Sequence, residues 1–192
     1  MRIDRLHSML FAGALLFAAG THAESASAPA AGGCPLMGTK DCPMNANAAT
    51  AQPGDSHFEE VNRHGDAVMG FDHRKTVHHF TLWDDGGEIR VEANSLDDST
   101  SIATIRGHLK EVAATFSKGD FAMPVQIHGK LPTGAATMKR LRTSIVYHWE
   151  ATDRGARVLI LTRDRTARDA VHEFLRFQIE DHRTGDPVTV GS

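Results

Sequence analysis

The chain has few cysteines, few aromatic residues and no excess of basic residues. Its two cysteines among 192 residues exclude the dense disulfide framework of small secreted domains. The formal net charge of −3 gives no support for nucleic acid as a partner. Beyond the N-terminal segment no apolar stretch is long enough to span a bilayer, so we expect no membrane span in the mature chain.

The N-terminal segment has the pattern of a secretory signal peptide. Arg2 and Arg5 precede an apolar run over residues 9–19, and small residues lead up to Ala23. This apolar run is too short to cross a bilayer, and the small residues are suited to cleavage after Ala23. Residues 1–23 are therefore predicted to be a signal peptide, and the mature protein is expected to be periplasmic or secreted.

Residues 24–56 are rich in small and polar residues, which predicts a flexible tether because such a segment cannot bury a core. Within it, two Cys-Pro units each precede a methionine: Cys34 with Met37, and Cys42 with Met44. Thiolate and thioether sulfurs are soft ligands that favour Cu(I). A disulfide between the two cysteines is the alternative, and an oxidising compartment favours it.

From residue 57 onward the apolar spacing is typical of a folded domain, predicted to cover 57–192. The apolar patterns predict strands at 66–71, 76–83, 88–94, 125–128, 144–152 and 157–162, and helices to about Lys118, near 135–141 and at 167–182. The first of these helices is predicted to be capped by Asp97-Asp98-Ser99. The apolar faces expected to point inward are Ile102, Ile105, Leu109, Val112, Ala113 and Phe116 in this helix, and Val171, Phe174, Leu175 and Ile179 in the last one. The Asp-Asp-Gly-Gly turn at residues 84–87 predicts a hairpin between the second and third of these strands.

The two halves of this domain follow a similar pattern. His79 aligns with His148 and Gly86 with Gly155 without a gap, and each pair of strands is followed by a helix. We therefore expect an α+β domain of two ββα units, an internal repeat with its helices on one face of a mostly antiparallel sheet. A chance similarity between two amphipathic hairpin–helix segments is the alternative.

A cluster of metal-ligating residue types lies around the first predicted hairpin. Asp72, His73, His78 and His79 fall within eight residues, and imidazole with carboxylate is a common ligand set for transition metals. Side chains on a strand alternate between its faces, so His78 and His79 must point in opposite directions. One of them is expected to share the side that Asp72 and His73 face.

The remaining candidate ligands have simpler interpretations. His108 borders a helical apolar face and is expected to be hydrogen-bonded there, while His172 and His182 are expected in solvent on a charged helix. Met69, Met123 and Met138 are expected to fill the core rather than to bind a metal.

The sequence offers little support for catalysis. It contains no Gly-x-Ser-x-Gly elbow, no His-Glu-x-x-His helix and no phosphate-binding glycine loop. Two other functions compete with metal binding. One is an exported module that binds a protein partner, with its cysteines joined. The other is haem binding by His73 or His79 against Phe71, Phe80 and Trp83, since haem needs an axial ligand and an apolar slot.

Several motifs of the globular part resemble a family of small exported bacterial proteins of unassigned function. They are Phe71-Asp72-His73 with Thr76-x-His78-His79-Phe80, then Asp85-Gly86-Gly87, then the run His-Glu-Phe-Leu-Arg-Phe-Gln-Ile at 172–179, and Thr184-Gly185-Asp186. This resemblance implies no activity. The Cys-Pro-Met elements at residues 34–44 are separately similar to short elements of proteins that handle heavy metals, especially copper.

The sequence thus favours a periplasmic protein that binds a transition metal and acts in metal resistance or delivery, and the chemistry of the predicted ligands favours copper. The predicted ligands form two sets, which are Cys34, Met37, Cys42 and Met44 in the tether, and Asp72, His73, His78 and His79 in the domain. Transfer of the ion to another periplasmic protein by ligand exchange would follow from such a pair of sites.

Overall fold

A four-stranded antiparallel sheet lies at the centre of the part that the structure, a computed structural model, describes: residues 53–191. Its strands are β1 (Thr76–Trp83), β2 (Gly86–Ala93), β3 (Ile145–Ala151) and β4 (Gly155–Thr162), in the order β1-β2-β4-β3. The helices of this region are α1 (Pro53–Met69), α2 (Ser99–Ser117), α3 (Ala122–His128), α4 (Ala135–Arg140) and α5 (Arg165–His182). Short 3₁₀ turns at His73–Lys75 and Arg142–Ser144 precede β1 and β3. The predicted α+β class is confirmed.

The register of the central strands is symmetric. Ile89 pairs with Val158 at the middle of the β2–β4 ladder, and Gly86 and Gly155 lie near its two ends. A Cβ on Gly86 would collide with the Ile160 carbonyl, and one on Gly155 with the Val91 carbonyl. Glycine is therefore required at both places, because the neighbouring strand approaches too closely for a side chain.

Helices α2 and α5 pack on the same face of this sheet. Ile105 of α2 lies against Gly155, and Leu175 of α5 lies against Gly87. The two helices meet through Phe116 and Phe174, whose rings are edge-to-face with centroids 5.6 Å apart. The predicted apolar faces of both helices are confirmed as the main part of the core, which buries Ile102, Ile105, Leu109, Val112, Phe116, Val171, Phe174, Leu175 and Ile179.

Side-chain caps fix where α2 and α5 begin. Asp98 accepts a hydrogen bond from the backbone N–H of Ser101, and Asp164 accepts one from the N–H of Ala167. Each carboxylate satisfies a donor that the first helical turn leaves without an intrahelical partner. The cap predicted at Asp98 is confirmed.

Two predicted strands are wrong. Residues 66–71 belong largely to α1, where Val61 and Met69 recur at helical spacing and are buried. Residues 125–128 end α3, whose first turn accommodates Pro124 because an N-terminal N–H there has no partner to lose. Short apolar pairs do not distinguish a strand from a helix, so the three-dimensional packing decided both cases.

The C-terminal residues run along the outer edge of β1. The Asp186 carboxylate accepts a hydrogen bond from the Phe80 N–H (2.9 Å), and the Gly191 N–H donates to the Leu82 carbonyl (3.0 Å). These bonds cover backbone groups that an edge strand would otherwise present to solvent. No helix in the described residues 53–191 has the length and apolar character needed to cross a bilayer.

The order strand–strand–helix occurs twice in this fold, and β2 and β4 begin at residues that the sequence alignment pairs. His79 and His148 lie on β1 and β3, the two outer strands. They therefore lie at opposite edges of the sheet. Descent of the two halves from an internal repeat stays a prediction.

Candidate functional site

The structure separates the predicted ligands into different environments. Cys34, Met37, Cys42 and Met44 lie outside the described residues. Within the described domain, Asp72 and His73 lie together beside α1. His78 faces the helices, and His79 lies on the opposite side of β1, because successive side chains of a strand alternate.

The structure adds Asp66, from the last turns of α1, to Asp72 and His73. The Asp66 carboxylate lies 2.9 Å from Nδ1 of His73 and accepts a hydrogen bond from the His73 backbone N–H at 2.7 Å. Gly70, with φ +79°, turns the chain after α1 so that the 3₁₀ turn returns beside the helix. One ligand atom from each of Asp66, Asp72 and His73 lies within 4.8 Å of the other two. We call these three residues the surface group.

Arg74 holds Asp72, a member of the surface group, in its charged form. Its carboxylate accepts hydrogen bonds from Nε, Nη2 and the backbone N–H of Arg74. The side-chain bond from Arg74 is the largest cause that lowers the pKa of Asp72 to about 2. The carboxylate is thus ionised at neutral pH, but Arg74 competes for it with any cation that it could bind.

The surface group has the chemistry of a site for a borderline divalent ion. Nδ1 of His73 is the ring nitrogen near both carboxylates, 2.9 Å from Asp66 and 4.0 Å from Asp72, so an ion held by all three residues would replace the hydrogen bond between His73 and Asp66. The side chains of His73 and Asp66 are 36% and 35% exposed, so an ion can reach them from solvent. Among the described residues this is the one set of three His, Cys, Asp or Glu side chains with such spacing.

His79 is engaged elsewhere. Its Nδ1 lies 3.0 Å from Oδ1 of Asp186, whose other oxygen binds the Phe80 N–H. Burial by itself would raise the pKa of Asp186, but bonds from Thr184 and His79 lower it. His79 therefore helps to attach the C-terminal residues to β1.

His78 points towards the helices and stacks on His182. The two rings are nearly parallel (5°), with centroids 5.3 Å apart. Nε2 of His78 is buried and has no hydrogen-bond partner within the described part of the chain. Burial, with a smaller contribution from the nearby His108 and His79, lowers the pKa of His78 to about 4. The ring is therefore neutral at physiological pH.

Four histidines line one cavity of about 50 Å³ between the sheet and the helices, which we call the histidine chamber. They are His78, His108, His128 and His182. Burial lowers the pKa of His108 to about 4 and that of His182 well below its usual range. The rest of the wall is mostly apolar, with Phe80, Phe116, Phe174, Met69 and Met123 among its members.

Hydrogen bonds orient one of these rings. Nδ1 of His128 lies 2.6 Å from Oδ2 of Asp181, and Nε2 lies 3.1 Å from the Gln178 side chain. His57, on α1, binds the other oxygen of Asp181 at 2.9 Å. Burial lowers the pKa of His128 more than these bonds raise it. The amide nitrogen of Gln178, a residue only 5% exposed, has no partner among residues 53–191.

The prediction that His172 and His182 lie in solvent is wrong. His172 is buried, and its Nε2 lies within hydrogen-bonding distance of the Trp83 and Gly86 carbonyls, at 2.8 and 3.0 Å. It therefore fastens α5 to the β1–β2 turn, while His182 turns into the chamber. Sequence reasoning missed both because the charged residues around them suggested an exposed helix.

The aromatic residues considered for haem do not line a common slot. Phe71 and Phe80 are buried in the helix-covered core. Trp83 is three residues after Phe80 on β1 and so faces the opposite side of the sheet.

Asp66 and the histidine chamber were absent from the sequence-based set. Asp66 gave no signal because it lay in a segment predicted as a strand, and the chamber joins residues from four separate parts of the chain. Comparison of the chain with protein-family models, curated proteins and solved structures gave no match. The resemblance to a family of exported proteins therefore stays a prediction, and the function must be argued from the site itself.

Proposed function

We propose that this protein is an exported transition-metal-binding protein, with copper as its preferred ion, acting in resistance or delivery. The observation that carries the proposal is the surface group, in which Asp66, Asp72 and His73 hold ligand atoms within 4.8 Å of one another. The signal-peptide pattern and the Cys-Pro-Met elements of the sequence support export and copper respectively.

The surface group is suited to the divalent form of the ion. Two carboxylates neutralise its charge. The imidazole supplies a nitrogen ligand, which Cu²⁺ binds readily and which Mg²⁺ and Ca²⁺ do not favour. Asp66 would either remain the hydrogen-bond partner of His73 or turn one oxygen to the ion. Both roles make its carboxylate necessary, because without it the imidazole loses its orientation.

The tether is suited to the monovalent form. Cys34, Met37, Cys42 and Met44 supply soft sulfur ligands within eleven residues, and such ligands select Cu(I). A tether of this kind would exchange its ion with a partner protein in the same compartment. The proposal thus contains two sites of different softness in one exported chain.

Isothermal titration of the purified full chain with Cu²⁺ and Zn²⁺ tests the surface group. We expect Asp66→Asn and His73→Gln each to weaken divalent-ion binding by at least about 10-fold, because the loss of a residue that orients a ligand usually has an effect of this size. His79→Gln is the matched control, because His79 also pairs with an aspartate but belongs to no such group of three among residues 53–191.

Thiol counting during the same titrations separates the two sites. Replacing Cys34 and Cys42 by serine is expected to remove Cu(I) binding by the tether and to leave divalent binding unchanged. Divalent binding that is equal in wild type, Asp66→Asn and His73→Gln would reject the surface group as the site.

A further inference from the structure

We infer that the neck of the histidine chamber, formed by Met69, His78 and His182, is a third copper site and that it takes Cu(I). This inference deepens the proposed function and rests on it for the supply of Cu(I). The ion would arrive already monovalent, by ligand exchange, so no electron transfer is involved.

The position of these three residues distinguishes them from the rest of the chamber wall. A groove of about 260 Å³ lies outside the chamber and is lined in part by α1, β1 and the residues after α5. His73 of the surface group also lines this groove. Met69, His78 and His182 line both the groove and the chamber. An ion moving inward from the groove would therefore meet two imidazoles and a thioether first.

The ligand set is neutral, and this favours a monovalent ion. Unprotonated imidazole and thioether carry no charge, and the rings of Phe71 and Phe80 lie beside His78 with centroids 6.0 and 6.4 Å away. Transferring a charge into such surroundings costs free energy that rises steeply with the charge, so a divalent ion is at a disadvantage. Imidazole and thioether are also ligands that copper accepts, and the thioether favours its soft monovalent form.

One ring nitrogen of His78 is available to a ligand. Its Nε2 is buried and lacks a hydrogen-bond partner in the described region, although buried polar atoms are nearly always paired. A coordinated ion would satisfy this atom. A bridging water is the ordinary alternative, and it is one of the outcomes that the experiment distinguishes.

One ring must rotate for the site to close. Parallel rings with centroids 5.3 Å apart direct their in-plane lone pairs along separate planes, so His78 and His182 do not yet converge on one point. The chamber volume of about 50 Å³ beside His182 gives its imidazole space to turn. Copper binding is thus expected to change the environment of His182 more than that of His128, which Asp181 holds.

The test uses the full chain with Cys34 and Cys42 replaced by serine and Met37 and Met44 by leucine, so that the tether does not bind copper. Cu(I) is titrated anaerobically against a chromophoric competitor. His78→Phe and His182→Phe keep a flat ring in place and remove the nitrogens. His108→Phe and Met123→Leu are the matched controls, because both residues line the chamber but not the neck.

We expect the tether-deficient chain to bind a single Cu(I) with nitrogen and sulfur scatterers in its X-ray absorption spectrum. His78→Phe and His182→Phe should each weaken this binding by at least about 100-fold, and Met69→Leu should remove the sulfur scatterer. The controls should bind as tightly as their parent. Far-UV circular dichroism of every variant identifies any loss of fold.

Either of two results would overturn the inference: no Cu(I) bound by the folded tether-deficient chain, which would leave a bridging water as the occupant, or binding that His78→Phe leaves unchanged. Asp66→Asn, made in the same tether-deficient chain, distinguishes an error in the neck site from an error in the proposed surface group. Loss of divalent binding in that variant with intact Cu(I) binding assigns the two ions to separate sites.

Discussion

Two Asp–His pairs of this domain have similar geometry and very different surroundings. In the surface group, Nδ1 of His73 lies 2.9 Å from Asp66, and the two side chains are 36% and 35% exposed. Beside the chamber, Nδ1 of His128 lies 2.6 Å from Asp181, and the exposures are 1% and 10%. The same two residue types thus form a solvent-accessible pair in one place and an enclosed pair in the other.

The difference in solvent access changes what each pair can do. Water screens the surface pair, so its contribution to stability is small, and its carboxylate remains available to a cation. The enclosed pair cannot exchange its partner for water, so losing either member leaves a polar group buried. The surface pair is therefore suited to ligand exchange, and the enclosed pair to holding a ring in a fixed orientation.

Acid should distinguish the two regions most strongly. The unfolded chain binds protons on His78 and His108 below pH 6.5, whereas the folded chain does so only near pH 4. Stability contributed by these neutral rings is complete above pH 6.5 and is lost as the pH falls towards 4. Each shift corresponds to about 3 kcal/mol, which is a substantial fraction of the free energy of unfolding of a typical domain.

The double variant His78→Phe, His108→Phe removes this dependence. We expect it to be more stable than wild type at pH 4.5 by several kcal/mol, roughly the sum of the two shifts, and to differ less at pH 7.5. Urea denaturation at both pH values measures the effect, with His148→Gln on an exposed edge of the sheet as control. Parallel loss of stability in the double variant and wild type would show that the chamber histidines are not the cause.

The next largest effect should come from removing each aspartate. Asp181→Ala is expected to destabilise the domain by about 1–3 kcal/mol, because Nδ1 of His128 loses its partner in an enclosed place. Asp66→Ala should cost about 1 kcal/mol or less, since water can replace its bonds to His73. Urea midpoints at pH 7.5 compare the two variants, and equal costs would contradict the contrast in solvent access.

The smallest effect concerns Arg74, which competes for a carboxylate of the surface group. Arg74→Ala frees Asp72 from its exposed ion pair, which water and salt screen. Divalent-ion affinity should therefore rise by up to about fivefold. Titration calorimetry measures this, and Arg63→Ala, an exposed arginine near Asp66 that pairs with Glu60, serves as the control. Weaker binding in Arg74→Ala would mean that Arg74 organises the group instead of competing with the ion.

Much of the fold was accessible from sequence patterns. The 76–83 strand and the apolar faces of α2 and α5 followed from apolar patterns that continue along the whole element. The start of α2 followed from Asp98, a residue type that commonly caps helices. The errors fell on two short segments, one containing Val68 and Met69 and the other Val125 and Ile127. A pair of apolar residues at such spacing can be buried by either a strand or a helix. Positions in long periodic elements were thus predictable, and positions in short connecting elements were not.

The candidate site was less predictable than the fold. Asp72 and His73 were recognised because they are neighbours in sequence. His78, His128 and His182 come together only because β1, α3 and α5 pack against one another. A sequence separation of fifty residues or more carries no local signal, and a charged helix gave the wrong expectation for His182.

The sequence by itself determined the class of fold, the alternation that sends His78 and His79 to opposite faces of β1, and the helix boundaries set by caps. Those features depend on interactions between residues a few positions apart. The tertiary structure alone decided which histidines are enclosed, which carboxylate accompanies each, and where Met69, His78 and His182 meet. Burial and proximity are properties of packed surfaces, so they arise only when distant segments exclude water together.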